Sequence, residues 1–137
     1  MPDDFNFKYK FGYWSDCINT FDSTFTQSRS RGDTSIRMVF TKDEMKRIYE
    51  IMVINDYKGL PEQFDLQGSI QPSEQYNFTI QANKQNRYIY YASHGWAKNT
   101  STKKKLERVK NTGEGIENIL YSKEDFKRLP KELRLAL

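Results

Sequence analysis

The chain contains one cysteine, Cys17, and one histidine, His94, the two residue types that most often pair as nucleophile and general base. Nucleophilic catalysis requires the base within hydrogen-bond reach of the thiol, and a third group that orients the base. Neither residue lies in a local motif of that kind, and His94 sits beside Gly95 where a strand is predicted to end. We expect both residues to be structural or incidental, so the sequence predicts no catalytic residue.

Metal and cofactor chemistry is equally unsupported by residue spacing. One cysteine and one histidine give no zinc-ligand pattern, and a single cysteine excludes an internal disulfide. The glycines of "NTGEGIEN" lack both the spacing of a phosphate-binding loop and the strand that precedes one. The sequence therefore predicts no metal, no cofactor and no enzyme.

Aromatic residues crowd the segment 75–96, "QYNFTIQANKQNRYIYYASHGW", which is predicted to form a β-hairpin. A stacking platform for single-stranded nucleic acid needs exposed aromatic side chains beside a basic groove. Here Tyr76, Phe78 and Ile80 alternate as the buried face of a strand does. We favour core packing for this face of the hairpin.

The opposite face of the hairpin carries Tyr88 and Tyr90. Together with Trp14 or Trp96 they would form an exposed aromatic patch, and such a patch on a monomer usually marks an interaction site. The candidate binding residues are Lys8, Lys10, Tyr88, Tyr90 and Trp96.

The net charge of +4 is concentrated in one segment, because residues 98–110 hold six basic residues against one acidic residue. These side chains would contact phosphates if the protein bound a polyanion. We favour the alternative, the solvated first turns of a helix with Leu106 and Val109 facing inward. The candidate polyanion-binding residues are Lys98, Lys103, Lys104, Lys105, Arg108 and Lys110.

The elements that position these residues follow from hydrophobic periodicity. In "FNFKYKFGYW" aromatic residues alternate with polar ones from 5 to 13, the period of a strand with one buried face. "CINTFDSTFT" predicts a second strand. After a turn at "SRSRGD", "TSIRMVF" predicts a third, with Ile36, Met38 and Phe40 on one face.

A helix is predicted to start after Thr41, because Glu44 three residues later completes a capping box. It should end before "NDYKGLP". Ile51, Val53 and Ile54 widen its apolar side toward the core. The main apolar stripe is Met45, Ile48, Tyr49 and Met52.

An ordered loop over 59–75 and the hairpin lead to a helix over 106–120. One long helix fits this pattern, although Gly113 and Gly115 each cost about 1 kcal/mol relative to Ala in a helix interior, and a kink or break there is the alternative. Ser122 with Asp125 repeats the capping-box pattern and opens a short terminal turn that Pro130 closes.

The order βββ-α-ββ-α predicts an α+β fold, an antiparallel sheet of about five strands with helices packed on one face. A length of 137 residues fits a single domain over 1–137. No apolar run approaches the roughly 20 residues of a membrane-spanning helix, so no transmembrane segment is predicted.

The succession "INTFDSTFTQ", "DTSIRMVFTKDEMKRIYEIM" and "ILYSKEDFKRLP" resembles small bacterial domains of unknown function, which are often found in secreted or lipid-anchored proteins. The resemblance rests on structural motifs. It implies an extracytoplasmic location and a mature chain from which a leader has been cut, and it carries no catalytic residue across.

The function expected from the sequence is a non-enzymatic binding module at the bacterial cell surface or secreted, which uses the open sheet face and the 59–75 loop. Its partner would be a protein or a component of the cell envelope. The alternative is a polyanion binder that uses residues 98–110, with nucleic acid or an anionic envelope polymer as the partner.

Overall fold

A computed structural model of the protein describes residues 1–30, 32–64, 66–68, 73–93 and 95–129. A 3-10 helix at Tyr57–Gly59 follows the first α-helix. The elements in chain order are β1 (Asn6–Gly12), β2 (Asp16–Asn19), β3 (Thr24–Arg29), β4 (Gly32–Arg37), α1 (Lys42–Ile54), β5 (Leu66–Gln67), β6 (Gln75–Ala82), β7 (Gln85–Ala92), β8 (Trp96–Ala97), α2 (Thr100–Ser122) and α3 (Glu124–Lys127).

The main sheet has six antiparallel strands in the order β4-β3-β2-β1-β6-β7, and β5 pairs with β8 in a separate two-stranded sheet. The predicted α+β fold is confirmed, with one strand more in the main sheet than expected. All three helices pack on one face of the sheet: Phe5 contacts Tyr49 of α1, and Phe25 contacts Phe126 of α3. Within the residues that the structure describes, no helix covers the other face of the sheet, which we call the open face.

Strand β1 lies inside the sheet, between β2 and the distant β6. Its alternation is the one predicted, since Phe7, Tyr9 and Phe11 are buried against the helices. The Tyr9 ring stacks on Phe78 of β6 with centroids 4.4 Å apart. Tyr13 does not continue the pattern, because β1 ends at Gly12, whose φ of +77° turns the chain away.

The segment predicted as one second strand is two strands, β2 and β3. Turn residues separate them: the Asn19 side chain accepts a hydrogen bond from the Phe21 backbone N–H, and Ser23 has a φ of +58°. The third predicted strand is β4, which ends at Arg37. Met38 is nevertheless buried beyond the end of that strand.

Helix α1 begins as predicted. The Thr41 hydroxyl accepts from the Glu44 N–H at 3.1 Å, and the Glu44 carboxylate accepts from the Thr41 N–H at 2.8 Å. The expectation that Val53 and Ile54 turn toward the core is wrong, because they are 51% and 81% exposed at the end of the helix.

Helix α2 runs through Gly113 and Gly115 as one α-helix of 23 residues, which confirms the single long helix over the alternative of a kink or break. A Cβ at Gly113 would overlap the Tyr9 hydroxyl oxygen, and one at Gly115 would lie 3.0 Å from the Ile51 Cδ1. The missing Cβ at Gly113 lets α2 approach the sheet closely, which explains glycine at that position of the helix.

The second predicted capping box does not form. The Ser122 hydroxyl donates instead to the Ile119 carbonyl, and the N-cap of α3 is Lys123. Lys123 is buried, and its ammonium donates to the Val39 carbonyl at 2.8 Å and to the Glu44 carboxylate at 2.6 Å. This ion pair ties the end of α2 to the start of α1.

Some predictions fall on positions outside the described residues, namely His94, Pro130 and parts of the "SRSRGD" turn and the 59–75 loop. Within the described residues, none of the helices combines the length and the apolar character needed to cross a membrane.

Candidate functional site

The register of the main sheet arranges the open face in two rows that cross all six strands. Each row carries a lysine on β1 and ends on a tyrosine on β7. The residue between them, on β6, is uncharged and polar. The first row is Arg37, Thr24, Asn19, Lys8, Thr79 and Tyr88, and the second is Ser35, Thr26, Cys17, Lys10, Asn77 and Tyr90.

A concavity of about 340 Å³ lies on this face, over β1, β6 and β7. It brings together four of the five residues predicted to bind. Tyr88 and Tyr90 are 50% and 46% exposed. The residues that line it are Lys8, Lys10, Glu62, Gln63, Asn77, Phe78, Thr79, Tyr88, Ile89 and Tyr90.

One wall of this concavity comes from the loop that precedes β5. The Glu62 carbonyl accepts a hydrogen bond from the Tyr90 N–H at 2.8 Å, which attaches the loop to the outer edge of β7. On the helix side of the sheet, Phe64 packs edge-on against Tyr91 with ring centroids 5.9 Å apart. The loop therefore covers part of an edge strand and sets Glu62 and Gln63 beside the tyrosines.

The charges around the concavity are mixed, since two lysines face one carboxylate, that of Glu62. Cys17, on β2, is the cross-strand neighbour of Lys10 on β1, and its thiol is half-buried. Burial raises the pKa of the Cys17 thiol, and the nearby Lys10 and Lys8 ammonium groups oppose that shift. The raised pKa keeps the thiol protonated near neutral pH, whereas a nucleophilic cysteine needs the thiolate.

The fifth candidate, Trp96, lies elsewhere. It is part of β8 and, 54% exposed, lines a separate concavity of about 390 Å³ with Tyr91, Lys103 and Lys110. Trp14, in the turn between β1 and β2, lines a cavity with Glu117 and Tyr121 of α2, and the Arg29 guanidinium lies 5.5 Å from its ring centroid. The structure thus separates both tryptophans from Tyr88 and Tyr90.

The basic segment does not form a single surface. It opens α2, whose Asn99 N-cap accepts from the Thr102 N–H at 2.8 Å. At 100° per residue Lys103 and Lys110 share one side of the helix, while Lys104 and Arg108 lie on another. The Arg108 guanidinium donates to the carbonyls of Asn55 and Asp56 at 3.0 and 3.3 Å, which joins α2 to the end of α1.

The Lys110 ammonium lies 5.9 Å from the ring centroid of Tyr91. The apolar residues of the segment, Leu106 and Val109, face the core as expected. The side chains of Lys98, Lys103 and Lys104 are exposed. Arg108 and Lys110 thus have local structural contacts.

A cluster that sequence reasoning missed surrounds a cavity of about 110 Å³ between the β1–β2 turn and α2. The Glu117 carboxylate accepts from the Tyr9 and Tyr121 hydroxyls at 3.0 and 3.3 Å, and the Glu74 carboxylate accepts from the Tyr76 hydroxyl at 3.0 Å. Burial raises the pKa of Glu117 and, more strongly, that of Tyr9.

One signal in the sequence pointed to this cluster. Glu117 stands four residues after Gly113 and four before Tyr121, so it shares the sheet-facing side of α2 with them. A carboxylate on an otherwise apolar helix face needs hydrogen-bond donors, and these come from tyrosines.

Comparison with known proteins gives no assignment: no family model matches the chain, and no curated protein matches it significantly.

Proposed function

We propose that the protein is a non-enzymatic binding module that holds its ligand in the concavity of the open sheet face. The observation that carries this proposal is the meeting of Lys8, Lys10, Tyr88 and Tyr90 in one concavity. These residues come from two strands, β1 and β7, and the sheet holds them in fixed positions. A preorganised surface loses little conformational entropy when a ligand binds.

The tyrosines supply the contact area. Tyr88 and Tyr90 each leave about half of a large ring in water, and they stand two residues apart on one strand. Tyrosine offers a rigid, amphipathic contact surface with only two side-chain torsions to order. Burial of both rings beneath a ligand would remove apolar area from water without rearranging the protein.

The thiol on this face supports a binding role over a catalytic one. Cys17 stands beside Lys10 in the second row, and its raised pKa disfavours the reactive thiolate. We therefore assign the face to recognition and give Cys17 no role in covalent chemistry.

The test compares the double variant Tyr88→Ala/Tyr90→Ala with the control Tyr13→Ala, which removes a somewhat more exposed tyrosine outside the concavity. Binding of each purified protein to isolated bacterial envelope fractions is measured together with urea unfolding. We expect the double variant to lose binding and each tyrosine to cost no more than about 1 kcal/mol of stability, because both rings are half-exposed. Loss of several kcal/mol would show that the tyrosines belong to the core, and unchanged binding would contradict the proposal.

A second candidate function is polyanion binding through the basic segment. The observation that favours it is the concavity in which exposed Trp96 stands with Lys103 and Lys110. Charge reversal at Lys103, Lys104 and Lys105 together should abolish salt-sensitive polyanion binding. Binding that persists in this triple variant would exclude the segment as the site.

The proposed location is outside the cytoplasm of a bacterium, and its support is the resemblance described above. The measurement is the intact mass and the cellular fraction of the native gene product. A cleaved or lipidated product outside the cytoplasm is expected. An uncleaved cytoplasmic product would contradict the location and favour the basic segment as the binding site.

A further inference from the structure

The concavity of the open face has a repeating geometry. Along a strand, residues two apart lie about 7 Å from each other, which is the separation of Tyr88 from Tyr90 and of Lys8 from Lys10. Across the sheet, β1 and β7 are two strand spacings apart, so each lysine lies about 10 Å from the tyrosine of its row. Two parallel columns, one aromatic and one cationic, therefore face an extended ligand.

Between these columns the surface is built from hydrogen-bonding groups. Asn77 and Thr79 lie on β6 in the same two rows, and both are partly exposed. Glu62 and Gln63 stand at the wall beside the tyrosines and are exposed. Carboxylate, amide and hydroxyl groups together can both donate to and accept from a ligand rich in hydroxyl groups.

The balance of charge limits how anionic the ligand is. Two ammonium groups, Lys8 and Lys10, are partly offset by the Glu62 carboxylate at the same concavity. A nucleic-acid strand carries one phosphate per nucleotide, and its affinity depends mainly on the number of phosphates that cations neutralise. The Glu62 carboxylate would repel a strand with a phosphate on every nucleotide, whereas a sugar polymer can place its carboxylates at Lys8 and Lys10 and its hydroxyls, which donate hydrogen bonds, at Glu62.

We propose, as a deepening of the function proposed above and resting on it, that the ligand is an acidic polysaccharide of the bacterial cell surface. Pyranose rings stack their apolar faces on Tyr88 and Tyr90. Carboxylates of the sugars pair with Lys8 and Lys10. Ring hydroxyls bond to the polar groups between the two columns, including Glu62.

The experiment uses polysaccharide purified from the envelope of the native host, in its native form and after chemical reduction of its carboxylates to alcohols. Binding to the whole protein is measured by calorimetry at two salt concentrations. The native polymer should bind, and carboxyl reduction should weaken binding about tenfold, because each lysine loses a charged partner. Tyr88→Ala should weaken binding of the native polymer by a similar factor, about tenfold, as truncation of a central aromatic anchor does.

Two lysine variants separate local pairing from general charge. Lys10→Gln should weaken binding of the native polymer and reduce its salt dependence. Lys46→Gln removes an exposed lysine from α1, away from the face, and should change neither property. Equal binding of both Lys variants would show that the lysine column makes no specific contact and would overturn the proposal.

The remaining outcomes distinguish failure of the polysaccharide proposal from failure of the proposed binding function of the open face. Equal binding of native and carboxyl-reduced polymer would overturn the acidic class. Envelope binding that depends on Tyr88 but resides in a protein fraction would overturn the polysaccharide and leave the binding face intact. Binding of oligothymidylate through Tyr88 would replace the polysaccharide with nucleic acid. If no envelope component depends on the face, both proposals fail.

Discussion

Replacement of Gly113 by alanine tests whether tertiary contact or helix propensity decides the residue at this point of α2. Considered as an isolated helix position, Gly113→Ala should stabilise the protein by about 1 kcal/mol. In the folded protein the new Cβ would overlap the Tyr9 hydroxyl and would lie 2.9 Å from the Tyr76 Cδ1. Both rings are buried in the aromatic core, so neither can move aside freely.

The two effects can be compared in size. Overpacking of a buried site costs typically about 1–3 kcal/mol. Displacement of the Tyr9 hydroxyl also weakens its hydrogen bond to Glu117, which contributes about 1 kcal/mol. Against the gain in helix propensity, these costs leave a net destabilisation of about 2 kcal/mol. For a domain of this size that lowers Tm by roughly 6 °C.

Gly115→Ala is the matched control in the same helix. Its Cβ would lie 3.0 Å from the Ile51 Cδ1 and 3.2 Å from the Ile51 Cγ2, and Ile51 is only partly buried, so a small shift of this side chain should let the propensity gain persist. We expect it to be neutral or stabilising by up to about 1 kcal/mol. Thermal and urea unfolding of both variants measure the difference. If Gly113→Ala is as stable as Gly115→Ala, the result contradicts the argument that the Tyr9 hydroxyl lies too close to α2 for a Cβ at position 113.

Three further predictions concern buried polar groups. Lys123→Met should cost about 2–3 kcal/mol in urea unfolding, because it leaves the Glu44 carboxylate without its ammonium partner, and adding Glu44→Gln to Lys123→Met should recover part of the loss. Burial raises the pKa of Glu117, so the native state binds more protons and stability falls as pH rises above the ordinary value of 4.5. Glu117→Gln should therefore lose less stability than the parent protein between pH 4.5 and neutral pH, and an identical loss would contradict a buried carboxyl. Burial and the Glu117 carboxylate raise the pKa of Tyr9 far above its ordinary 10.0, so stability should fall as pH rises past that value, and tyrosinate absorbance should show Tyr9 ionising only as the protein unfolds.

Local patterns account for most of the elements that were predicted correctly. The alternation of β1 follows from the need to bury one face, and Thr41 with Glu44 starts α1 because a capping box acts within four residues. Where the local signal was weak, the prediction failed. The turn between β2 and β3 interrupts an aromatic, β-branched segment. Ser122 cannot cap α3 because it is the last residue of α2 and its hydroxyl donates to the Ile119 carbonyl.

The candidate face could be predicted only in part. Alternation alone put Tyr88 and Tyr90 on the opposite side of β7 from Ile89. That the tyrosines meet Lys8 and Lys10 but not Trp96 depends on the pairing of β1 with β6, which lie about seventy residues apart in the chain. A period-2 pattern specifies which face a side chain occupies and leaves open which strand becomes its neighbour.

The sequence by itself determined the α+β class, the buried face of each long strand and the start of α1, because short-range periodicity and capping are properties of neighbouring residues. The tertiary structure alone decided the strand order, the glycine at position 113 of α2 and the neighbours of each charged or aromatic side chain. Gly113 shows the reason most directly. Its local propensity opposes a helix, and only the approach of Tyr9, more than a hundred residues earlier in the chain, makes the missing Cβ favourable.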